Sequence, residues 1–112
     1  MVDFQNKTFR FVSNSVHGEA DANTIFHYHQ QGKIVTAEYG GGTVIKGHLI
    51  ATVEDDGTLN LRYHHVNNKG ELKTGTCITK SEILDNGKIR LYERWQWTCG
   101  DGKSGESVLE EV

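Results

Sequence analysis

The chain has 112 residues, 36% hydrophobic and 24% charged, with a formal net charge of -3 and two cysteines. That length suits one domain with a modest core, and the balance is ordinary for a soluble globular protein. No apolar run approaches ~18 residues, which excludes a helical membrane span, and no basic stripe is present to neutralise phosphates, which excludes nucleic acid as a partner.

The start, "MVDFQNKTFRF", lacks the apolar stretch of a secretory signal. A cytoplasmic protein is the default expectation, although a mature chain stripped of its leader would read the same way. From there short alternating runs sit between Gly, Asn and Asp clusters. "KTFRFVS" (7–13) is followed by "NSVHGEADAN", a longer connection of no clear turn type. "TIFHYHQ" (24–30) and "KIVTAEY" (33–39) flank a Gln31-Gly32 turn, and "GGG" leads into "TVIKGHLIATV" (43–53). Asp55-Asp56-Gly57 precedes "TLNLRYHHV" (58–66), and "NNKG" precedes "ELKTGTCITK" (71–80). Within "KSEIL" (80–84) a helical turn would be cut short by Asp85-Asn86-Gly87. "KIRLYERWQWT" (88–98), "CGDGKSG" and "ESVLEEV" (106–112) complete the chain.

There is no proline, and no long segment has helical periodicity. The pattern predicts an all-β protein of about eight strands, most joined to the next by a tight turn, as in an antiparallel meander. A long twisted meander either exposes its edges or closes on itself. The expected fold is a small up-and-down barrel spanning 1–112 as a single domain, with an open sheet or two-sheet sandwich as the alternative.

Turn chemistry suggests registers, and registers give faces. A three-residue loop at 55–57 sets Val53 against Leu59 and Gly47 against His65. A four-residue loop at 67–70 sets Leu72 against His65, and a Gln31-Gly32 turn sets Tyr28 against Val35. A two-residue turn at Asn86-Gly87 sets Ile78 against Trp95 and Lys80 against Glu93. The inward face then gathers Phe26, Tyr28, Tyr39, Ile45, Leu49, Leu61, Tyr63, His65, Leu72, Ile78, Leu91, Trp95 and Trp97. His27, His29, Lys46, His48, Arg62, His64, Arg90 and Arg94 face solvent.

Two inward residues are out of place in a plain core. Glu93 lies between Leu91 and Trp95, where a carboxylate is costly unless it is paired or hydrogen-bonded. It reads either as half of an ion pair with Lys80 near the barrel rim or as a polar anchor. His65 reads either as a core histidine bonded to a tyrosine or backbone group, or as a second anchor. The pocket reading gives Tyr28, Tyr39, Tyr63, Trp95 and Trp97 as walls and His65 and Glu93 as anchors.

His27 and His29 form an H-x-H, and His48 faces His64 across strands, but both pairs lie outside with no third ligand in sequence, so no metal is expected. "GGGTVIKG" runs into a strand, where no helix N-terminus waits for an anion, and no cofactor is expected. Cys77 and Cys99 match no zinc or redox spacing, and neither has a base nearby in sequence. The Asn86-Gly87 register points them to opposite faces, so they should be unpaired. A small apolar or aromatic ligand and a second copy of the chain are the partners left open.

The stretch from "KGHLIATVEDDGTLNLRYHHVNNKGELKTGTC" to "NGKIRLYERWQWTCGDGKSGESVLEEV" resembles a family of small bacterial proteins carried under the name N-acetylglutamate synthase. "YERWQWTCGDGKSGES" is the most specific part of that likeness. The resemblance implies acetyl transfer from acetyl-CoA to glutamate. The residues supply no turn leading into a helix, no amphipathic helix and no basic pocket for such a donor. The barrel itself looks like the calycin type, shared by fatty-acid-binding proteins, lipocalins and avidin, which is a likeness of fold alone. The function expected from the residues is small-ligand binding, against either the acetyl-transfer enzyme or a filled barrel acting as an interaction protein.

Overall fold

The computed structural model describes residues 2–15 and 18–112. Its strands are β1 (Lys7–Asn14), β2 (Ile25–Gln31), β3 (Ile34–Gly41), β4 (Val44–Val53), β5 (Leu59–Asn67), β6 (Leu72–Ile83), β7 (Ile89–Trp97) and β8 (Ser104–Glu111). Each pairs antiparallel with its neighbour in sequence, and β8 returns to β1 to close a barrel. Closure leaves no sheet edge unpaired and displaces the open-sheet and sandwich alternatives. No helix occurs among the described residues, and "KSEIL" falls at the end of β6 and in the turn after it.

Alternation of side chains sorts the strands into an inner and an outer face. On β4, Gly47, Leu49, Ala51 and Val53 are buried while Lys46, His48, Ile50 and Thr52 are exposed. One end of the interior is filled solid. Phe4, Phe9, Tyr28, Val35, Leu59, Leu91 and Leu109 are each at most 1% exposed there. Phe4 closes this end like a stopper: its backbone N–H donates to Gln30 Oε1 at 2.9 Å and its ring lies 5.9 Å from that of Tyr28.

Three hairpin loops share one construction. Glu54 and Thr58, Asn67 and Glu71, and Leu84 and Lys88 each flank three residues whose last is a glycine at positive φ: Gly57 (86°), Gly70 (77°) and Gly87 (84°). Only glycine takes that conformation without strain. The Asp55–Gly57 register is the expected one, with Val53 opposite Leu59 and Gly47 opposite His65. The other two differ from expectation by one residue, because their loops hold three residues rather than four or two. His65 faces Lys73 and Trp95 faces Cys77. A one-residue slip reverses a strand's faces, so Leu72 and Ile78 stand outside while Cys77 and Thr79 point in. Ile45 is also outside, at the bulge between β4 and β5. The β2–β3 turn is Gly32-Lys33, one residue on from expectation, so the register moves by two, which preserves the faces and pairs Tyr28 with Ala37.

Candidate functional site

Toward the end opposite Phe4 the interior opens into a chamber enclosing about 60 Å³, room for roughly four or five waters. Of the residues expected to form a pocket, Tyr39, Tyr63, His65, Glu93, Trp95 and Trp97 line it. Tyr28 does not; it lies on the filled side, edge-on to Phe9 with centroids 4.9 Å apart. Its hydroxyl is buried with no hydrogen-bond partner among the described residues.

The aromatic walls exist because glycines make room for them. A Cβ on Gly47 would fall within the Tyr39 ring, one on Gly75 within the Tyr63 ring, and one on Gly105 within the Trp95 ring. The rings touch in sequence around the chamber: Phe26 stacks on Tyr39 at 4.6 Å, Tyr63 meets Trp97 at 5.6 Å, and Trp97 meets Trp95 at 5.7 Å.

Two hydrogen-bonded chains fix the polar side. His65 is buried, and its Nε2 lies 2.7 Å from Glu19 Oε1 while its Nδ1 lies 3.0 Å from the Tyr39 hydroxyl. The carboxylate assigns the ring proton to Nε2, which leaves Nδ1 to accept from Tyr39. Glu19 also accepts from Asn67 Nδ2 at 3.0 Å, and its backbone carbonyl takes the Thr43 hydroxyl. Burial works to raise the Glu19 carboxyl, but the bonds from His65 and Asn67 outweigh it and hold the group below its usual range. The second chain runs from Trp95 Nε1 to Ser107 Oγ (2.8 Å), from Ser107 Oγ to Asn14 Oδ1 (2.6 Å), and from Asn14 Nδ2 to the Ala20 carbonyl (2.8 Å). Both chains end on the β1–β2 connection, so Glu19 and Ala20 are tied across the open end.

Glu93 stands apart from both chains. It points inward between Leu91 and Trp95 and faces Thr79 and Ser107 on the adjacent strands. The expected ion pair with Lys80 does not form; that lysine is exposed opposite Tyr92, a consequence of the β6 register. With burial as its cause, the Glu93 carboxyl is pushed up to about 7. Burial likewise pushes the Tyr28, Tyr39 and Tyr63 phenols and the Cys77 thiol upward, so all four stay protonated at neutral pH. A thiol held neutral in this way is a poor nucleophile.

Outside the chamber a polar vestibule of about 320 Å³ continues past Glu19 and Trp97, with Lys73, Asp101 and Lys103 on its rim. Cys99 is in this rim, its Sγ 3.4 Å from the Thr74 backbone N–H, and it forms no disulfide with Cys77. The cysteines are unpaired as expected, although Cys77 faces inward rather than outward. The outward histidines take surface roles: His64 stacks with His48 at 5.8 Å, and His29 meets Glu38 at 2.9 Å. No cluster of three metal-ligating side chains occurs among the described residues.

Sequence reasoning missed Asn14, Glu19 and Ser107. Asn14 and Glu19 belong to the connection that has no turn signature, and its length was the one signal available. Ser107 could have been read from the alternation of "ESVLEEV", where it shares a face with Leu109.

A closed eight-stranded meander with one filled end and one aromatic chamber defines a small up-and-down β-barrel. The chain belongs to the avidin-like family: the family model described as Avidin-like protein matches residues 2–112. That places the fold within the calycin type expected from the strand pattern. No curated protein matches the chain.

Proposed function

We propose that this barrel binds a small ring-bearing molecule, held between Tyr39, Tyr63, Trp95 and Trp97 and reaching the rim past Glu19. The observation that carries this reading is the contrast within one interior. The core is filled to at most 1% exposure at residues such as Tyr28, Leu59 and Leu91, yet a chamber with aromatic walls is kept beside them by three glycines. A Cβ at any of those glycines would strike a wall ring at under 3.0 Å, so the glycines seat the rings that bound the chamber. Membership of the avidin-like family supports a ligand of the biotin-like class, compact at its inner end and extended toward the opening. Lys73 and Lys103 on the rim suit a ligand tail carrying negative charge.

The test uses the two tryptophans, which are the only ones in the chain and both line the chamber. Biotin, small aromatic amides and acetyl-CoA are titrated while tryptophan emission and melting temperature are recorded. A ring-bearing ligand at 100 times its Kd adds about 3 kcal/mol of stability, with a saturable change in emission that is lost in Trp97→Ala. A response to acetyl-CoA alone would favour acetyl transfer. No response to any small molecule would leave a barrel acting through its surface.

A further inference from the structure

Glu93 contributes nothing to the fold that a hydrophobic residue would not do better. It is nine-tenths buried, and no described residue hydrogen-bonds its carboxyl. Both cross-strand neighbours spend their hydroxyls elsewhere: Thr79 lies 3.5 Å from Cys77 Sγ, and Ser107 bridges Trp95 and Asn14. Its oxygens are not fully enclosed, and buried polar groups are almost always satisfied, so its partner comes from outside the chain: water when the chamber is empty, a ligand's donor when it is filled. The carboxyl opens onto the chamber, which tells where that partner sits.

We infer that the chamber takes a small organic cation, a ring-bearing amidinium, guanidinium or ammonium, with its N–H donors on Glu93 and its ring among the aromatic walls. The inference rests on the small-molecule reading above and adds a charge to its ligand. Three features converge on that charge. Aromatic faces attract cations, and Phe26, Tyr39, Tyr63, Trp95 and Trp97 all line the chamber. No lysine or arginine is among the described lining residues, whereas a second carboxylate, Glu19, is. A carboxylate with an amidinium or guanidinium makes a short, charge-assisted, two-pronged bond. Burying an ion pair usually strips water from both partners. Here folding has already removed most of the carboxyl's water, so less of its hydration remains to be lost on binding.

The same geometry makes binding depend on pH. With burial holding the empty-chamber carboxyl at about 7, a cation must displace its proton, and a neutral isostere need not. Among the described residues, the other titratable groups facing the chamber are Tyr39 from β3, Tyr63 and His65 from β5, Cys77 from β6 and Glu19 from the β1–β2 connection, with Tyr28 of β2 just behind it. The tyrosines and the thiol stay neutral below pH 9, and β1, β4 and β8 place no titratable group in the chamber.

Calorimetry on the whole chain with two matched pairs tests this: 2-iminobiotin against biotin, and benzamidine against benzamide. Each cation should bind at least about tenfold tighter than its neutral partner at pH 8, and its affinity should fall about tenfold by pH 6, following the fraction of ionised Glu93. The neutral partners should show no such slope. Glu93→Gln should bring the ratio within each pair close to one while the neutral members still bind. Neutral members binding as well as the cations in wild type, or a cation preference that survives Glu93→Gln, overturns the charge assignment and leaves the small-molecule reading intact. No binding by any of the four, at millimolar concentration, removes the small-molecule reading and the cation with it. The pH series on wild type decides the question even where the variant folds poorly.

Discussion

At the filled end of the barrel, Phe4, Phe9, Leu59, Leu91 and Leu109 are sealed from solvent, with the Tyr28 ring and its buried hydroxyl packed among them. At the other end the same strands, continuing with the same alternation, carry Tyr39, Tyr63, His65, Glu93, Trp95 and Trp97 around a chamber. On β7 the change takes two residues, from Leu91 to Glu93. The contrast teaches how a barrel of this size divides its labour: one end supplies the burial that holds the sheet closed, and the other gives up burial to keep a site. Residues of the two ends should therefore respond differently to substitution.

The largest effect is expected at the filled end. Leu91→Ala should cost about 3 kcal/mol by urea unfolding, because it empties space in a core with no exposure. Trp97→Ala removes a larger side chain but one that borders the opening, so it should cost visibly less stability while abolishing ligand response. Equal losses from both would erase the distinction between the ends.

Glu93→Gln sharpens it. The Glu93 carboxyl is raised from 4.5 to about 7 in the folded chain, so the folded state holds its proton more tightly than the unfolded one. Its contribution to stability is present below pH 4.5 and is lost as pH rises through 7. Relative to wild type, the glutamine variant should gain on the order of 2 kcal/mol between pH 5 and pH 8. A site residue whose removal stabilises the empty protein marks a place where stability was given up for function.

Smaller effects follow along the two hydrogen-bonded chains. Ser107→Ala leaves the Trp95 indole N–H without its acceptor and should cost about 1 kcal/mol, with a shift in tryptophan emission. Glu19→Gln should leave global stability nearly unchanged and speed hydrogen exchange at Ala20. The smallest is His64→Ala, on the outer face, expected within about 0.5 kcal/mol of wild type.

Much of this architecture is legible in the chain. Glycine-closed turns and period-2 alternation mark all eight strands to within a few residues, and the absence of proline fits a sheet with no edge. The inward placement of His65 and outward placement of His64 follow from Asp55-Asp56-Gly57 alone, since that loop sets Gly47 opposite His65. The two slipped registers come from reading related loops in different ways. Asn68-Lys69-Gly70 and Asp85-Asn86-Gly87 repeat the Asp55-Asp56-Gly57 plan of two residues and a left-handed glycine. Treating all three alike would have turned Cys77 and Thr79 inward and removed Lys80 as a partner for Glu93. The partnership of Glu19 with His65 spans 46 positions and reaches over the barrel opening from a connection without alternation, so no local pattern could reveal it.

The central claim is that the open end keeps a carboxyl bare in an apolar chamber, and carbon-detected nuclear magnetic resonance of the Glu93 side-chain carboxyl tests it most directly. In the unliganded chain the account predicts a titration midpoint close to 7, well separated from the exposed glutamates. A midpoint near the ordinary 4.5 would mean that Glu93 is solvated or already partnered within the barrel, and the division between a filled end and a waiting site would be wrong.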